Sequence, residues 1–296
     1  MDFSVWPNPH WSWEDVRSTA VDAEAAGWHG VWFADHFMPN TADGAPADGA
    51  VLECFGALAA LAATVPRVRL GTLVCSTTYR HPAALANLAA TVDHVSGGRL
   101  VLGLGAGWQI NEHEAYGIEL GSVRERLDRF EEACQIVTSM LREGRTTFEG
   151  THYRIVDAPC DPKPVQQPLP FLIGGGGEKR TLAIAASYAD EWNVWGPPEV
   201  LRHKNEVLDR HCEAIGRDPS TIRRLCQAVV GFTSEPPQPQ QGARPMVVGP
   251  PDHVAETMAA YADAGVDEFI VPCFDRVGPA RETVDRFMAE VIPLVA

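Results

Sequence analysis

Residues 96–112 read Ser-Gly-Gly-Arg-Leu-Val-Leu-Gly-Leu-Gly-Ala-Gly-Trp-Gln-Ile-Asn-Glu. A Gly-Gly turn precedes a short apolar strand at residues 100–104, and glycines then occupy alternate positions, Gly103, Gly105 and Gly107. A strand that ends in glycines exposes its backbone N–H groups, so an anion or a flat ring can approach closely. The same pattern is typical of a buried barrel strand followed by a flexible loop. This segment alone leaves both interpretations open.

Short apolar runs alternate with longer segments on both sides of this stretch. The longer segments carry apolar residues at three- and four-residue spacing, which is typical of amphipathic helices. This alternation predicts a parallel sheet, and eight units without an obvious linker favour a closed barrel over an open sheet. We therefore predict an α/β fold, a (β/α)8 TIM barrel with insertions in the βα loops, as a single domain over residues 1–296. The predicted strands are residues 3–6, 30–34, 68–74, 100–103, 171–173, 191–194, 226–232 and 268–272.

Several local signals mark helix ends and loops. Pro82 is placed to begin a helix, and Ser122 is a predicted N-cap for a long helix over residues 123–142. The pattern of residues 146–154 predicts a small hairpin. Residues 234–245 are rich in proline and glutamine and predict a mobile loop. Long loops in barrels usually cover a site or serve an interface.

The chain has a formal net charge of −15 and seven cysteines. The negative charge makes nucleic acid and anionic membranes unfavourable partners, because polyphosphates bind to basic surfaces. The cysteines are odd in number and form no Cys-x-x-Cys pair, which argues against a disulfide framework or a zinc site and for a reduced compartment. No apolar run is long enough to span a bilayer, and the N-terminus lacks a signal-peptide pattern. We therefore expect a cytoplasmic protein.

Asp35 and His36 follow the second predicted strand. Active-site residues of barrels lie at the carboxyl ends of strands, so this pair is a candidate for function. The pair could bind a metal, although no second cluster with ligand spacing accompanies it. His36 could instead be a structural histidine, or it could act as a general acid or base beside a cofactor, since histidine titrates near neutral pH. His113 and Glu114 are predicted to be solvated loop residues.

A run of four glycines follows the fifth predicted strand and leads into a helix: Gly174, Gly175, Gly176 and Gly177. A helix N-terminus has free backbone N–H groups, and the glycines before it let an anion come close to them. This pattern predicts a phosphate-binding site (a phosphate cradle), to which Lys179 and Arg180 could add positive charge. A flexible joint between strand and helix is the alternative. No Gly-x-Gly-x-x-Gly unit opens the chain and no Gly-x-Ser-x-Gly elbow is present, which disfavours a Rossmann site and serine hydrolase chemistry.

Other short motifs are found between the first helix and the sixth predicted strand. They are Ala25-Ala26-Gly27, Asp35-His36-Phe37, Arg80-His81-Pro82 and residues 93–99, 103–117, 173–177 and 189–193. With these motifs the chain resembles the bacterial luciferase-like monooxygenase superfamily, and more closely its branch that uses the deazaflavin coenzyme F420. The resemblance covers nearly the whole chain.

The resemblance implies a barrel that binds the ring of F420 at its mouth and the phosphate of F420 near the glycines after the fifth strand. It also implies a bulge at the end of the third strand, with a non-proline cis peptide that corresponds to Leu73-Val74. His36, next to Asp35, would lie near the hydride-accepting carbon, and these two are the expected catalytic residues. The expected cofactor-binding residues are Leu73, Val74, Ser76, Thr77, Gly105, Ala106, Gly107, Asn111, Gly174, Gly175, Gly176 and Gly177.

Two positions depart from the pattern of relatives that oxidise glucose 6-phosphate. Those relatives carry a tryptophan four residues after the histidine and an acid directly after the last glycine of the fourth strand. Asn40 and Trp108 stand at these positions here, so we do not expect sugar-phosphate oxidation. The expected substrate pocket contains Trp6, Asn40, Trp108 and Trp195, which favours a flat or hydrophobic substrate. Trp32, in the middle of a strand, is predicted to be a core residue.

Three functional hypotheses follow. The first is an F420-dependent oxidoreductase that transfers a hydride to or from a small, apolar or aromatic substrate, without a metal. The second is a monooxygenase that uses flavin mononucleotide (FMN), with reduced flavin supplied by a partner reductase. The third is a protein that binds the deazaflavin without catalysis. The resemblance implies a homodimer in each case.

Overall fold

The computed structural model describes residues 1–41, 44–234 and 244–295. The first half of the chain contains β1 (Asp2–Trp6), α1 (Trp13–Ala26), β2 (Gly30–Phe33), α2 (Cys54–Thr64), β3 (Arg69–Thr72), β4 (Cys75–Ser76), α3 (Pro82–Ser96), β5 (Leu100–Gly105), α4 (Ile110–Tyr116) and α5 (Val123–Arg142). The second half contains β6 (Thr146–Glu149), β7 (Arg154–Ala158), β8 (Phe171–Gly174), α6 (Thr181–Tyr188), β9 (Glu191–Trp195), α7 (Pro198–Ala214), β10 (Arg223–Gln227), β11 (Val229–Phe232), β12 (Met246–Gly249), α8 (Pro251–Asp263), β13 (Glu268–Pro272) and α9 (Val277–Arg286). A π-helical segment, Phe287–Val291, joins α9 to α10 (Ile292–Val295).

Eight parallel strands form a closed barrel with helices packed around it. The strands follow the order β3-β2-β1-β13-β10-β9-β8-β5, and the ring closes where Leu70 of β3 pairs with Leu100 of β5. The predicted (β/α)8 fold class is confirmed. Insertions occur in βα connections, as α4 and the β11–β12 pair, and also in one αβ connection, as the β6–β7 hairpin.

The inside of the barrel is filled near the amino ends of its strands. Trp32 is 1% exposed and belongs to the apolar layer inside the barrel, as predicted for a core residue. Below this layer, Glu268 is fully buried and accepts hydrogen bonds from Ser4, Trp32 and Arg69. Its carboxylate also lies 3.2 Å from the guanidinium of Arg223. Because these residues occupy the axis, the candidate site lies at the carboxyl ends of the strands.

The strand predicted at residues 68–74 is shorter in the structure. β3 ends at Thr72, the Leu73–Val74 peptide is cis, and β4 begins at Cys75. The cis peptide that the resemblance implied is thus confirmed. The apolar run hides the break, because its hydrophobicity continues through the bulge.

The strand predicted at residues 226–232 is wrong in its bounds. β10 begins earlier, at Arg223, and ends at Gln227. β11 then leaves the barrel and pairs in parallel with β12. The start of β10 was not predicted because its first two residues, Arg223 and Arg224, are charged, and charged residues are typical of surface loops rather than barrel strands.

Three local predictions are confirmed. Pro82 opens α3, residues 123–142 form α5, and β6 and β7 form the predicted hairpin. Ser122 caps α5 in a capping box with Glu125. Most of the predicted loop at residues 234–245 lies outside the described residues. Within the part of the chain that the structure describes, no helix has the length and apolarity to cross a membrane.

Candidate active site

A cavity of about 780 Å³ opens at the carboxyl ends of the barrel strands, within the size range of cofactor and substrate pockets. Most of the predicted site residues line this cavity: Trp6, Asp35, His36, Asn40, Leu73, Val74, Ser76, Gly105, Ala106, Gly107, Trp108, Gly174, Gly175, Gly176 and Trp195. The structure therefore brings residues from six βα units to one place.

Three predicted residues, Thr77, Asn111 and Gly177, are not among the residues that line the cavity. Thr77 is 2% exposed and donates hydrogen bonds from its amide and its hydroxyl to the carbonyl of Gly105. Asn111 is fully buried, and its Nδ2 donates to the carbonyl of Pro39 at 2.9 Å. Gly177 lies against Thr181. Thr77 and Asn111 thus support the cavity wall from behind, whereas Gly177 is exposed.

Val74 explains why glycines stand on the neighbouring strands. Its side chain packs against Gly103, Gly105 and Gly174. A Cβ atom would lie 2.8 Å from a Val74 methyl at Gly105 and 2.9 Å from both methyls at Gly174, which is closer than carbon atoms can pack. Gly103 and Gly105 of the opening segment thus leave room for the Val74 side chain, and the expected close approach of a ligand to these glycines stays a prediction. The result is a wall of the cavity from which few side chains project.

Asp35 holds the neighbouring strand in place. Its carboxylate accepts two hydrogen bonds from Arg80, at 2.7 and 3.0 Å, and one from the amide of Ser76 at 3.0 Å. Bidentate pairs of this kind fix geometry strongly. Both carboxylate oxygens are engaged and Asp35 is 2% exposed, so the geometry favours a positioning role, and its expected catalytic role stays a prediction.

His36 is held by Glu112. The imidazole Nδ1 lies 2.8 Å from Oε1 of Glu112, whose Oε2 accepts the amide of Phe37 at 2.8 Å. The hydroxyl of Tyr79 also donates to Glu112. Burial opposes ionisation of this carboxyl, but the hydrogen bonds from His36, Tyr79 and Phe37 outweigh it, so the pKa of Glu112 is lowered.

An ionised carboxylate only accepts hydrogen bonds, so Nδ1 of His36 carries the proton. Nε2 is then the nitrogen left to the cavity, and no hydrogen bond reaches it from the described part of the chain. Burial and the hydrogen bond to Glu112 raise the pKa of Tyr79, so the phenol remains a donor. The arrangement makes His36 the group best placed to exchange a proton in the cavity.

The sequence pattern assigns no role to Glu112, and it predicts that the next two residues, His113 and Glu114, lie in a loop. Residues 110–116 form α4, which ends at Gly117 in the left-handed conformation. The prediction that His113 is solvated is wrong: it is 1% exposed, with Nε2 2.7 Å from the hydroxyl of Thr78. Glu114 is exposed, as predicted. Gly117 was the available signal, since glycine commonly ends a helix.

Aromatic rings form another part of the cavity wall. Trp6 lies with its ring centroid 6.1 Å from that of Trp195 and 5.1 Å from that of Phe274. The guanidinium of Arg244 covers Phe274 at 4.6 Å and Trp195 at 5.4 Å, within the range of cation–π contacts. Trp108 is 53% exposed and meets the His36 ring edge-on at 5.6 Å. Phe274, two residues after β13, and Arg244, in the loop before β12, were not predicted, because the sequence pattern indicates no site residue after the eighth predicted strand or in the loop at residues 234–245.

The glycine run after β8 is braced by a lysine. Nζ of Lys204 donates to the carbonyl of Gly176 at 2.9 Å and to Glu178 at 2.7 Å. Arg180 pairs with Asp128 and Glu131, whose carboxylates offset the positive charge that it was expected to add to the cradle. Lys179 is exposed.

The first residue of α6, Thr181, lines the cavity beside the glycines. Its position brings the start of the helix to the cavity wall, which suits an anionic group. Over the described ranges, no group of three or more His, Cys, Asp and Glu side chains could hold a metal ion.

Comparison with known proteins gives a consistent assignment. Residues 2–238 match the model of the luciferase-like monooxygenase family. The F420-dependent glucose-6-phosphate dehydrogenase of Kineococcus radiotolerans is 32% identical over 229 residues, which cover 76% of this chain and 66% of that protein. The enzyme of the same name from Microbacterium testaceum is 37% identical over 222 residues, 74% of this chain and 64% of that protein. The matched part thus spans slightly under two thirds of these relatives.

A solved structure of an F420-dependent secondary alcohol dehydrogenase, in complex with an F420–acetone adduct, superposes with a TM-score of 0.84. The superposition covers all of both chains at 19% sequence identity, and it shows a shared fold. Since the family model matches most of the sequence and the barrel carries the expected bulge, the chain belongs to the luciferase-like monooxygenase family.

Proposed function

We propose that this chain is an F420-dependent oxidoreductase that transfers a hydride between the deazaflavin and a small organic substrate. One observation carries the proposal: a single cavity joins the Val74 wall, the glycine cradle and a histidine whose Nε2 is left free. The family membership and the F420-dependent relatives support the choice of cofactor.

The residues present fit a deazaflavin nucleotide. Val74, Gly105 and Gly174 leave a smooth wall for a flat ring. Gly175, Gly176 and Thr181, braced through Lys204, would hold the phosphate with backbone and hydroxyl donors. F420 supplies or accepts a hydride when it is bound.

The side chains of this protein have separate tasks in the proposed reaction. His36 holds or releases a proton at Nε2, while Glu112 keeps its ring in one orientation. Asp35 and Arg80 hold β4 beside the bulge. Trp108 stands at the mouth beside His36, where it would limit the access of water.

We further propose an apolar or aromatic substrate. The rings of Trp6, Trp195 and Phe274 face the cavity, and such walls favour flat ligands. Asn40 and Trp108 also line the cavity. At these two positions the sugar-phosphate dehydrogenases carry a tryptophan and an acid, respectively. These positions support a substrate other than glucose 6-phosphate.

A fluorescence titration with F420 and with FMN tests the cofactor. We expect F420 to bind tightly and FMN to bind at least tenfold more weakly. Preference for FMN would replace the proposal with a two-component monooxygenase supplied by a reductase. Binding of F420 without turnover of any compound in a broad panel would leave a deazaflavin-binding protein. Light scattering tests the homodimer, and cell fractionation tests the cytoplasmic location; both stay predictions.

A further inference from the structure

Two amide side chains lie at the floor of the cavity, and the proposed reaction does not use them. Asn193 on β9 is 4% exposed and Gln227 on β10 is 2% exposed, and both line the cavity. Nδ2 of Asn193 donates to Oε1 of Gln227 at 2.6 Å. Buried polar side-chain atoms normally have at least one hydrogen-bond partner, either in the protein or in ordered water.

This bond leaves each amide with unused capacity. Oδ1 of Asn193 remains an acceptor and Nε2 of Gln227 remains a donor, with no second partner among the described residues. Neither of these two atoms is among the side-chain nitrogen and oxygen atoms that are fully buried without a hydrogen-bond partner. If both side-chain amides were flipped, so that the nitrogen and oxygen of each changed places, the pair would still present one donor and one acceptor. The floor therefore offers a complementary pair of hydrogen-bonding groups in either orientation.

The amide pair lies between the two walls of the cavity. Asn193 is the register partner of Gly174 on the side of the glycine wall. Gln227 is the register partner of Trp195, on the side of the aromatic wall that includes Trp6 and Phe274. A ring against the aromatic wall can thus turn one polar edge toward both amides.

We propose that Asn193 and Gln227 select a substrate whose flat ring carries adjacent N–H and C=O groups, as in a lactam or a cyclic imide. Two hydrogen bonds to that edge satisfy the donor and the acceptor that the amide pair leaves open. The inference rests on the proposed function, because it assigns the glycine wall to the cofactor and the aromatic wall to the substrate.

Calorimetry with three probes tests this inference on the protein with and without F420. The probes are 2-quinolone, N-methyl-2-quinolone and naphthalene, which share a flat two-ring shape and differ in their polar edge. We expect 2-quinolone to bind about tenfold more tightly than the N-methyl compound, because N-methylation removes the N–H donor and leaves one buried acceptor of the amide pair without a partner, which costs on that order. Asn193→Leu should remove most of this preference, because Oδ1 of Asn193 is the acceptor left for the N–H. Gln227→Met should weaken the binding of both quinolones alike, because both keep the C=O that Nε2 of Gln227 would meet. Gln135→Leu, on the exposed face of α5, is the matched control.

The F420 affinity of each variant is measured in parallel and shows whether the fold and the cofactor site are intact. Equal binding of the two quinolones to the wild-type protein, or no measurable binding of 2-quinolone, would overturn the inference. A tenfold loss of F420 affinity in both variants, with ring binding unchanged, would overturn it too and assign the amides to the cofactor. A wild-type protein that prefers 2-quinolone but binds no F420 would retain the inference and remove the proposed function.

Discussion

Glu112 decides which nitrogen of His36 faces the cavity. Its carboxylate is fully buried and meets donors from an imidazole, a phenol and a backbone amide. Composition and spacing found His36, because strand ends can be read from apolar runs. They could not find Glu112 or Tyr79, since these partners come together only when α4 and the end of β4 pack beside β2. Residue types at strand ends are thus readable from the sequence, whereas the hydrogen bonds that orient them are not.

Replacing Glu112 by glutamine should slow turnover strongly while the cofactor still binds. The amide keeps the size of the side chain but removes the charge that fixes Nδ1 as the protonated nitrogen. We expect kcat to fall about 100-fold, in the range of general acid–base effects, with the F420 affinity within twofold of wild type. Steady-state kinetics and fluorescence titration measure both. Tyr79→Phe, which removes one donor to the same carboxylate, should have a smaller effect, and an unchanged kcat in Glu112→Gln would show that His36 needs no such partner.

Glu112 should also make the fold sensitive to acid. Its pKa in the folded protein is below its ordinary value of 4.5. The contribution of the ionised carboxyl is present above that ordinary value, and it is lost as the pH falls through the lowered, folded-state pKa. Urea unfolding between pH 7 and about pH 3.5 should therefore show a decline in the free energy of unfolding. The decline should be shallower in Glu112→Gln, and identical curves would contradict this assignment.

At the scale of elements, the glycines of β5 and β8 and the bulge between β3 and β4 depend on one another. The glycine spacing in residues 96–112 indicated a special strand, but the sequence could not show that Val74 fills the space above it. The bounds of α5 were readable because a capping residue and a regular apolar face both mark them. The bounds of β10 were not, since Arg223 and Arg224 are polar and the following run remains apolar past Gln227.

Gly174→Ala should disturb the bulge. The new Cβ would lie 2.9 Å from both methyls of Val74. We expect a loss of about 1–3 kcal/mol in the free energy of unfolding, as for other overpacked sites, together with weaker F420 binding. Gly144→Ala is the control, because a Cβ there meets nothing within 4 Å.

The double variant Gly174→Ala, Val74→Ala tests the cause of that loss. Removing the Val74 methyls should restore part of the stability that the single change costs, so the two effects should not add. Chemical denaturation of the four proteins measures the coupling. Additive effects would mean that Val74 is not the neighbour that requires glycine at position 174.

For the molecule as a whole, the barrel separates stability from function along its axis. The amino end holds the buried carboxylate of Glu268 with Arg69 and Arg223, and the carboxyl end holds the cavity. The alternation of strands and helices sufficed to predict the closed fold. It could not predict the ionic layer, because Arg69, Arg223 and Glu268 are about 50 to 200 positions apart and meet only when the barrel closes.

Glu268→Gln should destabilise the protein without affecting the site. The change removes a buried carboxylate from Arg69 and Arg223, which keep their pairs with Glu191 and Asp2. The expected loss is therefore about 1–3 kcal/mol, as for buried groups that lose one hydrogen-bond partner. We expect a clear loss of stability in urea unfolding and an unchanged F420 affinity. Glu14→Gln, which breaks an exposed pair with Arg17, should leave the unfolding curve where it is. A large loss of cofactor affinity in Glu268→Gln would show that the two ends are coupled.

Asn111 joins helix α4 to the loop after β2, which lies about 70 positions earlier in the sequence. Its Nδ2 donates to the carbonyls of Pro39 and Ala45, while its own helix carries Glu112. The loop after β2, which contains Asn40, is therefore tied to the helix that orients His36. A loop exchange that is meant to change the substrate range should transplant the loop after β2 and α4 together. A new loop after β2 alone would displace α4, and with it the carboxylate of Glu112 that orients His36.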